Sequence, residues 1–144
     1  MAHLIDTAKC ILEQGGEMTA MKLQKLMYYS QAWHLVWDER PLFNEDFEAW
    51  ANGPVLPTLY QRHRGQFVVD VTLCSEGDTS RLTAEERRTV SKVLQFYGVQ
   101  TAQWLSNLSH QERPWLEARG SAPDGDLCNT KISKASMHEY YSAL

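Results

Sequence analysis

Between residues 19 and 38 apolar side chains recur on almost every side of a helix. At 100° per residue Leu23, Leu26, Met27, Trp33 and Trp37 share one face, and Met21, Tyr28, Ala32 and Leu35 lie roughly opposite. Tyr29 and Val36 flank them, and Gln24, Gln31 and Asp38 repeat every seven residues as a narrow polar stripe. A helix that is apolar all round is packed by neighbours on several sides. The pattern therefore predicts a buried central helix, about 20–38, with the rest of the chain wrapped round it.

The flanking segments read as shorter elements. Leu4, Ile5, Ala8, Ile11 and Leu12 form an amphipathic stripe over 2–14, closed by Gly15-Gly16. Thr19 is placed to cap the central helix, which stops near Asp38–Arg40 ahead of Pro41. Leu42-Phe43 and Phe47-Glu48-Ala49-Trp50 are short apolar pieces, each a brief strand or an irregular packed segment. Asn52-Gly53-Pro54 is a turn signal, and Pro57 opens a helix over about 58–64 that Gly65 closes. Phe67–Val71 is rich in β-branched residues and predicts a strand. Residues 75–80 read as loop, after which Thr83 and Glu86 form a capping box for a helix that turns Val90, Val93, Leu94 and Tyr97 inward and ends at Gly98. Thr101 caps a short helix through Ala102, Leu105 and Leu108, and Ser109–Glu112 is a second box-like start leading into Arg113-Pro114-Trp115. Residues 120–130 read as loop, and Ser133 caps a last helix ending at Tyr140-Tyr141. The expected fold is mostly α, a compact helical domain around the central helix with two or three short β-strands. With no repeat, low-complexity tract or long linker, one domain over 1–144 is expected.

Charge narrows the partners. The net charge is −4, and the excess of acid lies in the first 53 residues, notably Asp38, Glu39, Glu45, Asp46 and Glu48. Nucleic-acid binders carry a basic footprint, and here only Arg62-His63-Arg64 offers one, with Arg87 and Arg88 further on. Nucleic acid is therefore disfavoured as a partner. Cys10, Cys74 and Cys128 are odd in number and widely spaced, which fits a reducing cytoplasm rather than a disulfide scaffold. No apolar run reaches membrane-spanning length, and the N-terminus carries no signal-peptide pattern, so the expected location is the cytoplasm.

The motifs of catalysis are missing from the chain. There is no phosphate loop, no G-x-S-x-G elbow, and no pair of histidines at helical metal-ligand spacing among His3, His34, His63, His110 and His138. No enzyme, cofactor or metal is expected. His34, on the apolar helix, reads as a hydrogen-bonded core group, and Cys10 as a buried structural thiol. Glu45, Asp46 and Glu48 read as a solvated face or docking patch. Tyr28, Tyr29, Trp33 and Trp37 read mainly as core, although Tyr and Trp are also enriched at binding hot spots.

One stretch goes further. Lys22-Leu23-Gln24-Lys25-Leu26-Met27-Tyr28-Tyr29-Ser30-Gln31-Ala32-Trp33-His34-Leu35, then Pro41-Leu42-Phe43, then Phe47-Glu48-Ala49-Trp50-Ala51-Asn52-Gly53-Pro54-Val55 and Tyr60, resembles the signature of the Panacea domain. Arg113-Pro114-Trp115, Ile132-Ser133 and Tyr140-Tyr141 resemble its weaker later elements. The resemblance implies an antitoxin that neutralises a protein toxin encoded beside it by direct binding. Its alternative is a proteolysis adaptor that delivers the toxin to a cytoplasmic AAA+ protease, as one branch of the family does, and many members are phage-associated; a nucleic-acid-binding regulator using Arg62, Arg64, Arg87 and Arg88 is the further alternative, and a homodimer is left open. It makes Leu23, Lys25, Leu26, Trp33, Phe43, Ala49, Val55 and Trp115 the structural signature. It points to Tyr29, Gln31, Glu45, Asp46, Trp50, Asn52, Gly53, Pro54 and Tyr60 as the partner-binding residues, with Trp50 tucked against the central helix near Tyr29 or Trp33.

Overall fold

Leucine, methionine and tyrosine on all faces of one nineteen-residue helix leave it no solvent side, and the fold is built accordingly. The computed structural model describes residues 3–123 and 125–144. Ala2, in the expected first helix, and Asp124, in the expected loop, lie outside the described residues. The central helix is α2 (Ala20–Asp38), and Thr19 caps it by accepting from the Lys22 N–H at 3.1 Å. Glu39 ends it in a left-handed conformation, φ 54°. Around it pack α1 (Leu4–Gly15), α4 (Ala84–Phe96), α5 (Ala102–Ser109) and α7 (Lys134–Ser142). Leu23, Leu26, Met27, Tyr28, Tyr29 and Ala32 are all sealed from solvent, while Trp37, at the far end, is 45% exposed.

Two further short helices, α3 (Pro57–His63) and α6 (Arg113–Arg119), two 3-10 turns (Val71–Cys74 and Thr79–Arg81) and five short strands complete the regular elements of the described residues. The strands β2 (Phe47–Trp50) and β3 (Gly53–Val55) form an antiparallel hairpin, with Trp50 opposite Gly53 and Glu48 opposite Val55. The strand β5 (Lys131–Ile132) adds to the other edge of β2. A second pair joins β1 (Met18–Thr19) to β4 (Val68–Val69).

Most expected elements stand within a residue or two, and the differences have local causes. Ala51-Asn52 forms the turn, and Gly53 and Pro54 already belong to β3. Pro54 lies in an edge strand, where its missing N–H costs no ladder bond. Only Val68-Val69 of the expected 67–71 strand pairs, because Asp70 accepts from the Thr72 N–H and starts a 3-10 turn over Val71–Cys74. Ser109 does not open α6. It is the last residue of α5, and its hydroxyl donates to the Ser106 carbonyl. Glu112 turns its carboxylate inward, where Tyr29 and Tyr141 donate to one oxygen at 2.6 and 2.7 Å. Burial pushes this carboxyl pKa upward, and the two hydroxyls partly offset the shift.

Of the polar stripe of α2 only Asp38 faces water. Gln24 and Gln31 are both buried. The Gln31 amide donates to the Phe43 carbonyl at 2.9 Å and accepts from the Leu42 N–H at 2.6 Å. Two turns earlier, the Gln24 amide grips the N–H and C=O of Leu56 at 2.8 and 3.2 Å. The hairpin between these points is thereby tied to α2 at both ends. Gln31→Met keeps the volume but leaves the Leu42 N–H and the Phe43 carbonyl without that partner. We expect a loss of about 3 kcal/mol in urea unfolding. A loss under about 0.5 kcal/mol would show that the clamp is dispensable.

Candidate functional site

The hairpin carries the surface that stands out. Its tip, at Ala51-Asn52, projects between two clefts of about 620 and 600 Å³. Met21, Asn52 and Tyr60 line both. The first cleft continues past Trp50 and Val55 to Leu127 and Cys128. The second runs between α3 and α5 and has Lys25 at its floor.

Three features hold the tip in place. The Trp50 ring meets Tyr60 edge-on, centroids 4.9 Å apart, and its indole N–H donates to Glu48 at 2.8 Å. This corrects the expected packing near Tyr29 or Trp33; Tyr29 stacks instead on Tyr97 and Trp33 on Trp37. From α6, the Trp115 indole donates to the Trp50 carbonyl at 2.9 Å, and the buried Arg119 guanidinium donates to the Ala49 carbonyl at 3.0 Å. Arg119 also holds the carbonyls of Pro123 and Asp126, which fastens the loop carrying Leu127 beside the hairpin. From α5, the Ser106 hydroxyl donates to the Asn52 carbonyl at 3.0 Å.

Gly53 is required where it stands. Its φ is +117°, a region that side chains disfavour. A Cβ there would come within 2.5 Å of Lys25 Cε, 3.0 Å of Lys25 Nζ and 3.1 Å of Ser109 Oγ. Lys25 lies folded against this glycine, 1% exposed, and among the described residues its Nζ has no hydrogen-bond partner. Burial lowers the amine pKa from 10.5 to about 8.

The residues singled out from sequence fall into two groups. Trp50, Asn52 and Tyr60 come together on the surface of the tip. Tyr29 and Gln31, expected at the partner surface, are sealed in the core, their polar atoms spent on Glu112 and on the 42–43 backbone. Gly53 and Pro54 are buried as well. Glu45 is exposed but lines neither cleft, and Asp46 is paired with Lys134 at 2.8 Å. The signature residues Leu23, Lys25, Leu26, Phe43, Ala49, Val55 and Trp115 are buried, and Trp33 is half-buried. His34 lies 2.8 Å from Thr89 Oγ1 and 3.1 Å from Asp38, and Cys10 is buried. Of the arginines weighed for nucleic acid, Arg62 is held by the Leu73 carbonyl and Glu76, and Arg87 by the Leu82 carbonyl. Sequence reasoning missed Met21, Leu127 and Arg119 as parts of this region, and missed the isolation of the Lys25 amine. Among the described residues no cluster of His, Cys, Asp and Glu gathers as metal ligands do, and no helix is long and apolar enough to cross a membrane.

Residues 23–116, which run from the first turn of α2 through the hairpin, α3, α4 and α5 into α6, match the family described as "Antitoxin SocA-like, Panacea domain". The chain belongs to this family. It is similar to Antitoxin SocA of Caulobacter vibrioides (strain NA1000 / CB15N), 49% identical over 41 residues. That match covers 28% of this chain and 22% of the relative. No solved structure matches. In the Panacea-domain chain described here, both clefts are built largely from the matched stretch.

The Lys25 environment has a measurable consequence. An unfolded lysine keeps its proton up to about pH 10.4, whereas the folded Lys25 keeps it only to about 8. Between those values the unfolded chain binds more protons, so stability rises with pH across that window. At 1.36 kcal/mol per pKa unit the difference is roughly 3 kcal/mol. Lys25→Met is therefore expected to be more stable than the native chain at pH 7, with the gap closing between pH 8 and 10.5 in chemical denaturation. A gap independent of pH would contradict the lowered pKa.

Proposed function

We propose that this chain is an antitoxin that neutralises a protein toxin by binding it directly, with the hairpin tip and its flanking clefts as the contact surface. The observation that carries the reading is that Trp50, Asn52 and Tyr60 stand together at the surface within the stretch matched to an antitoxin family. The antitoxin role itself comes from that family and from the relative's name.

The chemistry of the tip supports the assignment. Trp and Tyr are the side chains most often found at binding hot spots, because they bury large areas with few rotatable bonds. Both are held by neighbours here, so little ordering is left for the moment of binding. Leu127 adds a fully exposed apolar side chain at the rim of the first cleft. The acidic residues before the hairpin act at longer range, where charge speeds encounter with a basic toxin more than it sets affinity.

The test is co-expression with the toxin encoded by the neighbouring gene. Growth should be restored, and the two proteins should co-purify. Asn52→Arg and Leu127→Asp change exposed side chains, so melting should be unaffected while toxin binding falls at least tenfold, about 1.4 kcal/mol or more. Native affinity in both variants would move the contact away from the hairpin tip. Toxin levels separate the mechanisms: a constant level goes with inhibition by binding, and a protease-dependent fall goes with delivery to an AAA+ protease.

A further inference from the structure

The Lys25 amine serves no purpose in the packing that an apolar side chain would not serve better. Methionine fills a similar volume without a charge to desolvate, and an unpaired buried ammonium is strongly disfavoured. Yet the hairpin makes room for this lysine by placing glycine at residue 53, where any Cβ would collide with Cε. The cleft above it is also unusual for an acidic protein. Sixteen residues line it, and none is Asp or Glu, although the chain as a whole carries −4. Its ionisable groups are Lys25, Tyr60, His63, Arg64 and His110. The side-chain amides of Asn52, Gln103 and Asn107 also line the opening, while the Ser106 hydroxyl is committed to the Asn52 carbonyl.

We propose that this cleft is a binding site for a carboxylate, which enters between α3 and α5 and pairs with Lys25 Nζ. A single negative charge balances the single buried positive one. A dianion would bring an excess of charge into a partly desolvated site, which disfavours phosphate. The lysine stem is flexible, so the ammonium can swing outward from beneath Gly53 to meet the ligand. The cleft is open and about 600 Å³, large enough for an amino-acid side chain or a small organic acid. The carboxylate has two sources, an acidic side chain or C-terminus of a partner protein, or a free small carboxylic acid. This site does not depend on the antitoxin reading, because a free carboxylate should bind without any toxin present.

The test uses the full chain labelled with 13C at lysine Cε and 15N at backbone amides. Sodium acetate is titrated at pH 7.5 against sodium chloride of equal ionic strength, and sodium phosphate in parallel. Acetate should produce a saturable shift of the Lys25 Cε signal and of the Asn52 and Gly53 amides, and should raise the Lys25 titration midpoint by about one unit, a tenfold change in proton affinity. In Lys25→Met, which keeps the packing volume, the acetate shifts at Asn52 and Gly53 should vanish. Shifts no larger than those in chloride, shifts that persist in Lys25→Met, or a saturable response to phosphate alone would each overturn the proposal. The source is then read from the complex with the neighbouring gene's toxin. A Lys25 midpoint raised in the complex, with acetate no longer bound, identifies a toxin carboxylate. Acetate binding that is unchanged in the complex identifies a free small acid. Loss of toxin binding in Leu127→Asp, which lies outside this cleft, with intact acetate binding would separate the two functions of the region.

Discussion

The two buried glutamines of α2 are the constraint on which the rest depends. Hydrophobic contact is non-directional. A helix that is apolar on every face therefore accepts passing chain in many registers. Gln24 and Gln31 remove that freedom, because an amide satisfies a backbone N–H and C=O only at one position and orientation. Gln31 holds Leu42-Phe43 and Gln24 holds Leu56, so the segment between them is pinned at both ends to the same helix. In the interior such bonds are costly to leave unmade, which makes them specific as well as stabilising.

This pinning decides what the hairpin can do. With its ends fixed, Gly53 falls directly against Lys25, and the Ala51-Asn52 turn is carried out between α3 and α5. The second support comes from α6, where Trp115 and Arg119 reach the carbonyls of Trp50 and Ala49. The tip is thus an exposed loop on a rigid mount, the arrangement by which proteins present binding residues without ordering them anew for each encounter. The polar groups that build the mount are themselves consumed by it. Gln24, Gln31, Trp115 and Arg119 are spent on internal bonds, and Trp50, Asn52, Tyr60 and Leu127 are left to line the first cleft.

A second buried network works the same way at the other side of α2. Glu112 draws the hydroxyls of Tyr29 and Tyr141 to one carboxylate oxygen and so joins α2, α6 and α7. Here again a polar group is placed in the core where its partners are fixed in number and direction. The chain combines a non-specific apolar seal with a few directional bonds, and the directional bonds set the registers.

What the sequence determined by itself was the set of local elements. The all-round apolar character of 20–38, the caps at Thr19, Thr83, Thr101 and Ser133, and the stops at Gly16 and Gly98 each act within a turn or two of chain, so they are legible without the fold. The family signature was legible too, because it is an ordered run of residues, and it gathered Trp50, Asn52 and Tyr60 into one candidate region. Tertiary structure alone decided which of those residues reach the surface. Periodicity read Gln24 and Gln31 as a polar stripe, whereas backbone groups 11 to 32 residues away drew them inside. Glu112 had the spacing of a cap, but two tyrosines 83 and 29 residues distant claimed its carboxylate. Lys25 had only the look of a signature residue. Its isolation beneath Gly53 arises from the approach of a hairpin that no local pattern encodes, and that approach turned a signature lysine into the floor of a cleft.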